Sequence, residues 1–490
     1  MKRIVDFARG ASAVTALCAV MTVSSPAQTF KTLFTFDVTD GLGPQPLIQA
    51  SDGEFYGTTQ FGGANDTCVE EGRATTCGTV FRITSRGKLT TVHNFDGTDG
   101  FMPIGALVQA TNGRLYGTTL AGGAYTSCML IYEVNGCGTV FKMTAGGTLT
   151  TLFSFGNGTD GGLPNGGLVE ATNGYFYGTT GYSAFKMTPQ GVLTTLDFID
   201  GGANGEFPNG GLVQASNGSL YGTAAFGGST TVNCADPGGT PPGGCGTVFK
   251  LTEMGVLTVR HRFDGTDGGL PSAGVVQAAD GNFYGTTSEG GANSTLCSGY
   301  GCGTIFKITP GGTLTTLHSF DGADGQTPNW LIQATDGNFY GTTFQGGANN
   351  DGTIFVFKLN SEGTGGTLTT LHSFDGSDGV LPTGLFQATN GILYGTNFNT
   401  VFSLNVRLGP FVKTIPTAAK AGATVTILGN NLTGATSVTF DGAPVTSFNV
   451  NATGTAITTE VPTGATTGTV QVTLADGTTL SSNVPFRVLP

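Results

Sequence analysis

Pairs of aspartates three residues apart recur along the chain in glycine-rich stretches, mostly as Asp-Gly-X-Asp-Gly. They are the side chains whose type and spacing could do chemistry. Two carboxylates in one turn, beside backbone carbonyls, could coordinate Ca²⁺ at the millimolar levels found outside cells. The candidate calcium ligands are Asp96 and Asp99, Asp264 and Asp267, Asp321 and Asp324, and Asp375 and Asp378.

A purely structural role explains the same aspartates and is the interpretation we favour. Each carboxylate could accept N–H bonds of its own turn, while the neighbouring glycine supplies a positive φ. The full EF-hand pattern is missing, because no glutamate stands where a bidentate ligand is needed. Calcium is therefore the only cofactor we consider, and the sequence predicts no catalytic residue.

Eight of the nine cysteines fall in pairs, each within one loop. Four loops hold two cysteines and three equivalent loops hold none, which is the pattern expected of local disulfides. A zinc site is disfavoured, because these loops contain no histidine and no Cys-X-X-Cys spacing. The predicted pairs are Cys68 with Cys77, Cys128 with Cys137, Cys234 with Cys245, and Cys297 with Cys302.

Three further sets of residues could be functional or structural. His93, His261, His318 and His372 occupy one position of an outer strand, far apart, and are interpreted as surface packing. A ring of Gln or Glu could line a channel, although hydrogen bonds between neighbouring repeats are the favoured interpretation. Trp330, the only tryptophan, replaces a small residue of its sibling repeats and could be a stacking platform or core filling.

These residues are positioned by a tandem repeat, whose signature Tyr-Gly-Thr occurs seven times. In each copy an apolar run ending in Ala is joined to this signature by Asp-Gly or Asn-Gly, which predicts a hairpin with a type I′ turn. Two further β-branched and aromatic segments follow, such as GTIFKIT and LTTLHSF. The repeat therefore predicts four antiparallel strands, here named a to d.

The ends of the repeat region indicate a closed ring. The region starts with an unaccompanied d strand, KTLFTF, and stops after a c strand at Leu404. The first strand can complete the last blade, so the sequence predicts an all-β protein: a seven-bladed β-propeller of four-stranded blades, followed by a small immunoglobulin-like β-sandwich. The d–a and b–c loops of a propeller emerge on one face, and they are the long, variable and acidic ones.

The compartment follows from the N-terminus and from charge. Residues 1–27 combine basic residues, an apolar stretch and Ser25-Pro26-Ala27, which predicts a secretory signal peptide. The chain has a formal net charge of −12, which disfavours nucleic acid and anionic lipid as partners. We expect an exported, monomeric protein with no membrane span once the signal is removed, lying outside the cell or on its surface.

The C-terminal region has a different pattern. After a propeller over 28–405 and a linker over 406–409, residues 410–490 contain short strands typical of a β-sandwich. GATVTILGNNL, SVTFDGAPV and GTVQVTL resemble the IPT/TIG family of immunoglobulin-like domains, which implies a spacer or adhesive module without catalytic residues. The repeats, through LTTLHSFDG, LVQATDGNFYGTT and CGTVFKIT, resemble the GloVer-type tandem repeats of exported bacterial proteins. That family is often joined to a surface anchor, and no apolar tail followed by basic residues is seen here.

Three functions are compatible with these patterns. The first is a secreted, non-catalytic binding or adhesion protein that presents an acidic, disulfide-braced loop face to an extracellular glycan or a surface protein. It is favoured because the blades look alike. One alternative is a propeller glycosidase or lyase using loop carboxylates, although the repeats depart from symmetry only mildly, at the shortened b–c loop Gly181–Ser183 and at Gly205-Glu206-Phe207. The other is a structural envelope or matrix component. A quinone-dependent dehydrogenase is disfavoured, because a repeated Trp motif is missing.

Overall fold

The structure is a computed structural model that describes residues 28–70, 73–125, 136–156, 160–199, 202–208, 210–228, 234, 244–293 and 295–490. The predicted signal peptide over 1–27 lies outside these residues. Within the described ranges, no helix is both long and apolar enough to cross a membrane.

Short strands dominate the N-terminal region, as the β-branched and aromatic segments predict. The first repeat follows β1 (Thr29–Thr35) and contains β2 (Leu42–Pro44), β3 (Ile48–Gln49), β4 (Phe55–Phe61), the loop hairpin β5 (Cys68–Glu70) and β6 (Arg73–Thr75), β7 (Thr79–Ile83) and β8 (Leu89–Asn94). Repeat 2 contains β9 (Val108–Gln109), β10 (Leu115–Thr119), β11 (Thr139–Met143) and β12 (Leu149–Ser154). Repeat 3 contains β13 (Val169–Glu170), β14 (Phe176–Thr179), β15 (Ser183–Met187) and β16 (Leu193–Phe198).

The later repeats have the same plan. Repeat 4 contains β17 (Val213–Gln214), β18 (Leu220–Ala224), β19 (Thr247–Leu251) and β20 (Leu257–Arg262), after a 3-10 turn at Gly202–Asn204. Repeat 5 contains β21 (Val276–Gln277), β22 (Phe283–Thr287), β23 (Thr304–Ile308) and β24 (Leu314–Ser319), with a 3-10 turn at Cys297–Gly299. Repeat 6 contains β25 (Gln326–Gln333), β26 (Phe339–Gln345), β27 (Thr353–Leu359) and β28 (Gly366–Ser373), and repeat 7 contains β29 (Gly384–Gln387), β30 (Leu393–Thr396) and β31 (Thr400–Asn405).

Each repeat forms one antiparallel sheet in the order a-b-c-d. The last repeat has no d strand of its own, and β1 takes that place by pairing with β31 from Thr29↔Asn405 to Thr35↔Thr400. A register shift interrupts this pairing, as one does in the c–d pair of repeat 1 between Val80 and Phe81. The sequence-based expectation that the first strand joins the last sheet agrees with this pairing.

The a–b hairpins form as expected, but their turn is not the predicted type I′. In repeat 1 the N–H of Gly53 donates to Ala50 O, and the N–H of Ala50 donates to Glu54 O. Only Gly53 has a positive φ, of 86°, so the turn is a type I turn closed by a left-handed glycine. Asp52 has no positive φ, and its carboxylate accepts the N–H of Glu54 and the hydroxyl of Tyr56.

The hydrophobic core lies between successive sheets rather than within one. Phe95 at the end of repeat 1 meets Phe141 of repeat 2 edge-on, with ring centroids 5.4 Å apart. The same contact recurs between Phe374 and Phe402, at 5.5 Å, and between Phe36 and Phe81, at 5.1 Å. The last pair joins β1 of the final sheet to the first repeat. Aromatic packing therefore links the two ends of the repeat region.

The C-terminal region is a separate β-sandwich, as its short strand pattern predicts. One sheet has the order β32-β34-β38-β37, a second has the order β36-β35-β39-β40, and β33 pairs in parallel with β41. Its core includes Ile427, Phe440 and Val472. The strands are β32 (Lys413–Ile415), β33 (Ala418–Lys420), β34 (Thr424–Leu428), β35 (Ala435–Phe440), β36 (Ala443–Pro444), β37 (Phe448–Val450), β38 (Ala456–Glu460), β39 (Val470–Leu474), β40 (Thr479–Ser481) and β41 (Arg487–Leu489), with a 3-10 turn at Leu432–Gly434.

Candidate functional site: the loop face and the axial cavity

The first aspartate of each d–a loop organises its own turn. Oδ1 of Asp96 accepts the N–H of Thr98 at 2.9 Å, the N–H of Asp99 at 3.2 Å and the hydroxyl of Thr98 at 2.7 Å. Asp264 makes the equivalent bonds in the loop after repeat 4. The threonine hydroxyl is the main reason why the pKa of both carboxyls lies below its usual value.

The second aspartate pairs with a histidine, which the sequence analysis missed. Oδ2 of Asp99 lies 2.7 Å from Nε2 of His93, and its Oδ1 accepts the N–H of Asp96 at 3.1 Å. The His93 ring also packs edge-on against Phe95. The histidines therefore anchor the d–a loops to strand d and do more than cover the surface. The equivalent pairs, also at 2.7 Å, are His261 with Asp267, His318 with Asp324, and His372 with Asp378.

One of the three strand d positions without a histidine allows a comparison. Phe34 replaces the histidine before Asp40, and burial, followed by the charge of Asp37, raises the pKa of Asp40. Burial also opposes ionisation of Asp324, but the bond to His318 and backbone N–H groups outweigh it, and its pKa is lowered. At Asp324 the bond from the imidazole therefore favours the ionised carboxylate.

The calcium prediction for Asp96, Asp99, Asp264, Asp267, Asp321, Asp324, Asp375 and Asp378 stays a prediction. The contacts above show the turn role that the sequence analysis favoured. In the ranges that the structure describes, no three His, Cys, Asp or Glu side chains come together as metal ligands do.

Disulfides and an asparagine brace the b–c loops. Cys68 is bonded to Cys77, Cys234 to Cys245 and Cys297 to Cys302, with Cα–Cα distances of 5.0 to 5.3 Å. Cys128 of the remaining predicted pair lies outside the described residues. In repeat 5, Asn293 of the Gly-Gly-Ala-Asn segment donates its amide to Ser319 O and Phe320 O, at the end of strand d. Asn65 in repeat 1 and Asn349 in repeat 6 make equivalent bonds, so these three loops are tied to the strand that leads into the aspartate turn.

On the other face, side-chain hydrogen bonds join the a–b turns of neighbouring repeats. In each repeat the Gln or Glu of strand a accepts a backbone N–H from the a–b turn of the preceding repeat, at 2.8 to 3.0 Å. The sequence analysis favoured hydrogen bonds between neighbouring repeats for these residues, and the structure contains those bonds. The acceptor–donor pairs are Gln109 and Ser51, Glu170 and Thr111, Gln214 and Thr172, Gln277 and Ser216, Gln333 and Ala279, Gln387 and Thr335, and Gln49 and Thr389.

The C-terminal domain lies against this turn face. Asn451 and Thr455 donate to Ser51 O in repeat 1, at 3.0 and 2.9 Å. Arg487 donates through Nη1 to Ala215 O in repeat 4, at 3.1 Å. The chain just before the domain is also fixed here, since the N–H of Phe411 donates to a carbonyl of repeat 7 at 3.0 Å. The domain therefore spans the turn face, and the loop face lies on the opposite side of the sheets.

A cavity of about 570 Å³ lies where the strand a segments of the repeats converge. Its wall comes from residues just before or at the start of strand a, which is the end of that strand nearest the loop face. Trp330 and Asn329 line it, together with glycines such as Gly166 and Gly210. The structure thus places Trp330 at the axial cavity, where the sequence analysis had left a stacking platform and core filling as alternatives.

Comparisons with known proteins agree with this architecture. The sequence matches the model of the Gloeobacter/Verrucomicrobia repeat over residues 11–230 and 234–439, and that of the IPT/TIG domain over residues 410–488. Among curated proteins, none matches the sequence.

Similar solved structures include a streptogramin B lyase, with a TM-score of 0.52 and 15% identity over 77% of this chain and 97% of that chain. A fungal alcohol oxidase in complex with copper has a TM-score of 0.50 and 12% identity over 94% of this chain and 99% of that chain. The WD40 β-propeller domain of Doa1 has a TM-score of 0.45 and 10% identity over 77% and 97%. At these identities the first two show a shared fold and nothing about activity.

Proposed function

The chain belongs to the Gloeobacter/Verrucomicrobia repeat family and carries an IPT/TIG domain, and we propose that it is an extracellular binding protein without catalytic activity. The loop face of its propeller would hold an extracellular glycan or a surface protein, and the IPT/TIG domain would act as a spacer behind it. The observation that carries this proposal is the position of the C-terminal domain. It bonds to the turn face, so the braced loops point away from it.

The scaffold we propose is a closed, seven-bladed ring. This proposal is supported by the contacts between the last and first repeats, which are equivalent to the contacts between other neighbouring repeats. The amide of Gln49 accepts the N–H of Thr389 in repeat 7 at 2.9 Å, as Gln109 accepts that of Ser51. The contact of Phe36 with Phe81 likewise matches that of Phe95 with Phe141. A ring of this kind leaves no exposed edge at either end of the array.

The composition of the loop face supports binding. The d–a and b–c loops are rich in Asp, and three of their aromatic side chains are exposed: Tyr125 by 46%, Tyr300 by 41% and Phe398 by 48%. Exposed aromatic rings among polar groups, on loops held by disulfides, are typical of binding surfaces. The disulfides of the described loops would reduce the conformational entropy lost on association.

We further propose that the protein is exported as a monomer, with residues 1–27 as the signal peptide and Ca²⁺ as an optional ligand of the aspartate loops. The three disulfides of the described residues support an oxidising compartment. A free protein or one held at the cell surface would both present the loop face outward.

Retention on immobilised ligands tests the binding proposal. Labelled protein lacking residues 1–27 would be passed over extracellular polysaccharides and envelope fractions, with Ca²⁺ and with EDTA, and the glycans would be re-sized afterwards. Tyr300→Ala, on the loop face, should weaken retention. Val192→Ala is the matched control, because Val192 is 66% exposed on a c–d turn of the opposite face.

The outcomes separate the functions. Retention that Tyr300→Ala weakens and Val192→Ala leaves unchanged supports binding through the loop face. Shortened glycans would overturn the non-catalytic proposal in favour of a glycosidase or lyase. Absence of retention on every fraction would overturn binding altogether and leave a structural role.

A further inference from the structure

The axial cavity breaks the symmetry of the repeats. Two consecutive positions before strand a face the axis in every repeat. In repeats 3 and 4 both are glycine, as at Gly166 and Gly210, whereas repeat 6 has Asn329 and Trp330 there. Gln45 of repeat 1 and Thr383 of repeat 7 flank the Asn329 position. At these two positions repeats 3 and 4 therefore present backbone to the cavity, whereas repeats 6, 7 and 1 present polar and aromatic side chains.

The glycine side is shaped by close approach of the backbone. A Cβ atom at Gly274 would lie 2.5 Å from Gly211 O, and one at Gly210 would lie 2.2 Å from Gly274 N. No side chain fits at these distances, so glycine lets the strand a segments converge below the cavity.

The polar side is held in place by its own hydrogen bonds. Asn329 donates its amide to Pro382 O at 2.6 Å and accepts the hydroxyl of Thr342 at 2.8 Å. Thr383 donates to Pro44 O at 2.8 Å. Gln45 donates to Gly43 O at 3.0 Å, which directs its side-chain amide along the wall. These groups keep fixed positions around the cavity, and hydroxyl and amide groups of this kind recognise hydroxyl groups of a ligand.

Trp330 adds an apolar surface at a cost in stability. Its indole nitrogen is buried and has no hydrogen-bond partner among the described residues. The ring therefore offers its carbon atoms, and not its N–H, to the cavity. A buried donor without an acceptor costs about 1–3 kcal/mol. The sibling repeats avoid this cost with Gly167, Gly211 or Gly274, whereas the partly buried Trp330 both lines the cavity and packs against the core between repeats 6 and 7.

The chemistry of the wall selects the ligand. No Asp, Glu, Lys, Arg or His is among the described residues that line the cavity, and a charged group placed there would lose its hydration without a partner. The aspartates of the surrounding loops add repulsion against anions. A volume of about 570 Å³ falls within the ~300–1,000 Å³ range of small-molecule sites.

We propose that the axial cavity binds a neutral sugar unit of an extracellular glycan, with one face of the sugar ring against Trp330 and its hydroxyls on the amide and hydroxyl groups of repeats 6, 7 and 1. This inference rests on the proposed binding function and names the ligand class of its central subsite. The loop face around the cavity would then hold the rest of the glycan.

The sole tryptophan makes the test direct, because all tryptophan emission comes from the proposed site. The protein would be titrated with neutral cello-, xylo- and malto-oligosaccharides, and with an oligogalacturonate of matched length as the anionic control. A saturable change of emission with a neutral oligosaccharide, and none with oligogalacturonate, is the expected result. Equal changes with both would overturn the neutral-sugar assignment.

Variants at Trp330 test its role independently of fluorescence. Trp330→Phe keeps an aromatic surface and should retain binding in calorimetry, whereas Trp330→Gly, the residue of repeats 3 to 5, should weaken it by on the order of ten-fold. Unchanged affinity in Trp330→Gly would overturn the proposal. Retention of glycans on the immobilised protein without any emission change would overturn the cavity site alone. Absence of both would overturn the proposed function with it.

Discussion

Truncation of Phe36 tests whether the repeats close into a ring, because this residue directly follows the first strand, β1, and packs on the first repeat. Phe36 is 5% exposed and its ring centroid lies 5.1 Å from that of Phe81. Phe95 makes the equivalent contact between repeats 1 and 2, is fully buried, and lies 5.4 Å from Phe141. The backbone agrees, since the N–H of each phenylalanine donates to a b–c loop carbonyl, at 2.8 Å for Phe36 and 3.0 Å for Phe95.

The expected magnitude follows from this equivalence. A buried phenylalanine replaced by alanine loses about 3–5 kcal/mol, through lost burial and the cavity left behind. If the ring is closed, Phe36→Ala and Phe95→Ala should lower the free energy of unfolding by similar amounts within this range. If the last sheet stands apart from the first, Phe36 becomes a near-surface residue and its truncation should cost about 0.5 kcal/mol or less.

Urea unfolding followed by the emission of Trp330 would measure both variants. Closure predicts equal shifts of the midpoint at an unchanged slope, because stability changes while the surface exposed on unfolding does not. The closed ring would be refuted if Phe95→Ala lowered the free energy of unfolding by the full amount while Phe36→Ala lowered it negligibly. Hydrogen exchange of β1 provides a second measurement, since an open seam would leave its amides less protected than those of β12.

Three further predictions concern the loops. Cys68→Ser with Cys77→Ser should cost about 2–3 kcal/mol by the loop-closure estimate, and limited proteolysis should then cut this b–c loop; a loop that stays resistant would contradict the bracing role. His318→Phe should destabilise the protein at neutral pH, and should do so less as the pH falls below about 4. The reason is that the lowered pKa of Asp324 contributes stability that is lost when this carboxylate is protonated. An equal loss of unfolding free energy at every pH would argue against the His318–Asp324 pair. If the aspartate loops bind Ca²⁺, the thermal midpoint should rise with CaCl₂ and return with EDTA, and a midpoint unmoved at millimolar Ca²⁺ would exclude the site.

The strands and their order could be predicted from the sequence, because both depend on local patterns that recur in every repeat. The alternation in segments such as GTIFKIT fixes which side chains enter the core between sheets. The pairing of the first strand with the last sheet could be predicted by counting the strands at the two ends of the repeat region. The cysteine pairs followed from their placement within single loops, where chain connectivity leaves few partners.

The turn type of the a–b hairpins and the role of the histidines were predicted wrongly, and both involve side-chain hydrogen bonds. Asp52 stands in an Asp-Gly pair, which favours a type I′ turn, yet its carboxylate also holds the hydroxyl of Tyr56 four residues on. The turn is type I, with the positive φ at Gly53 and not at Asp52. His93 lies on a strand and Asp99 in the loop that follows it, so neither element alone predicts their pairing. The recurring spacing His-X-Phe-Asp-Gly-X-Asp was the signal that could have joined them.

The axial cavity was beyond reach for a different reason. Its wall is built from segments of every repeat, so it depends on contacts between repeats rather than on any local pattern. What the sequence did contain was an exception: one tryptophan at a position where Gly167, Gly211 and Gly274 stand in sibling repeats. In a repeat array the shared residues are explained by the fold, since every sheet needs the same core and the same turns. A residue that departs from the repeat, and that carries an unpaired buried N–H, is therefore where a function distinct from folding should be sought.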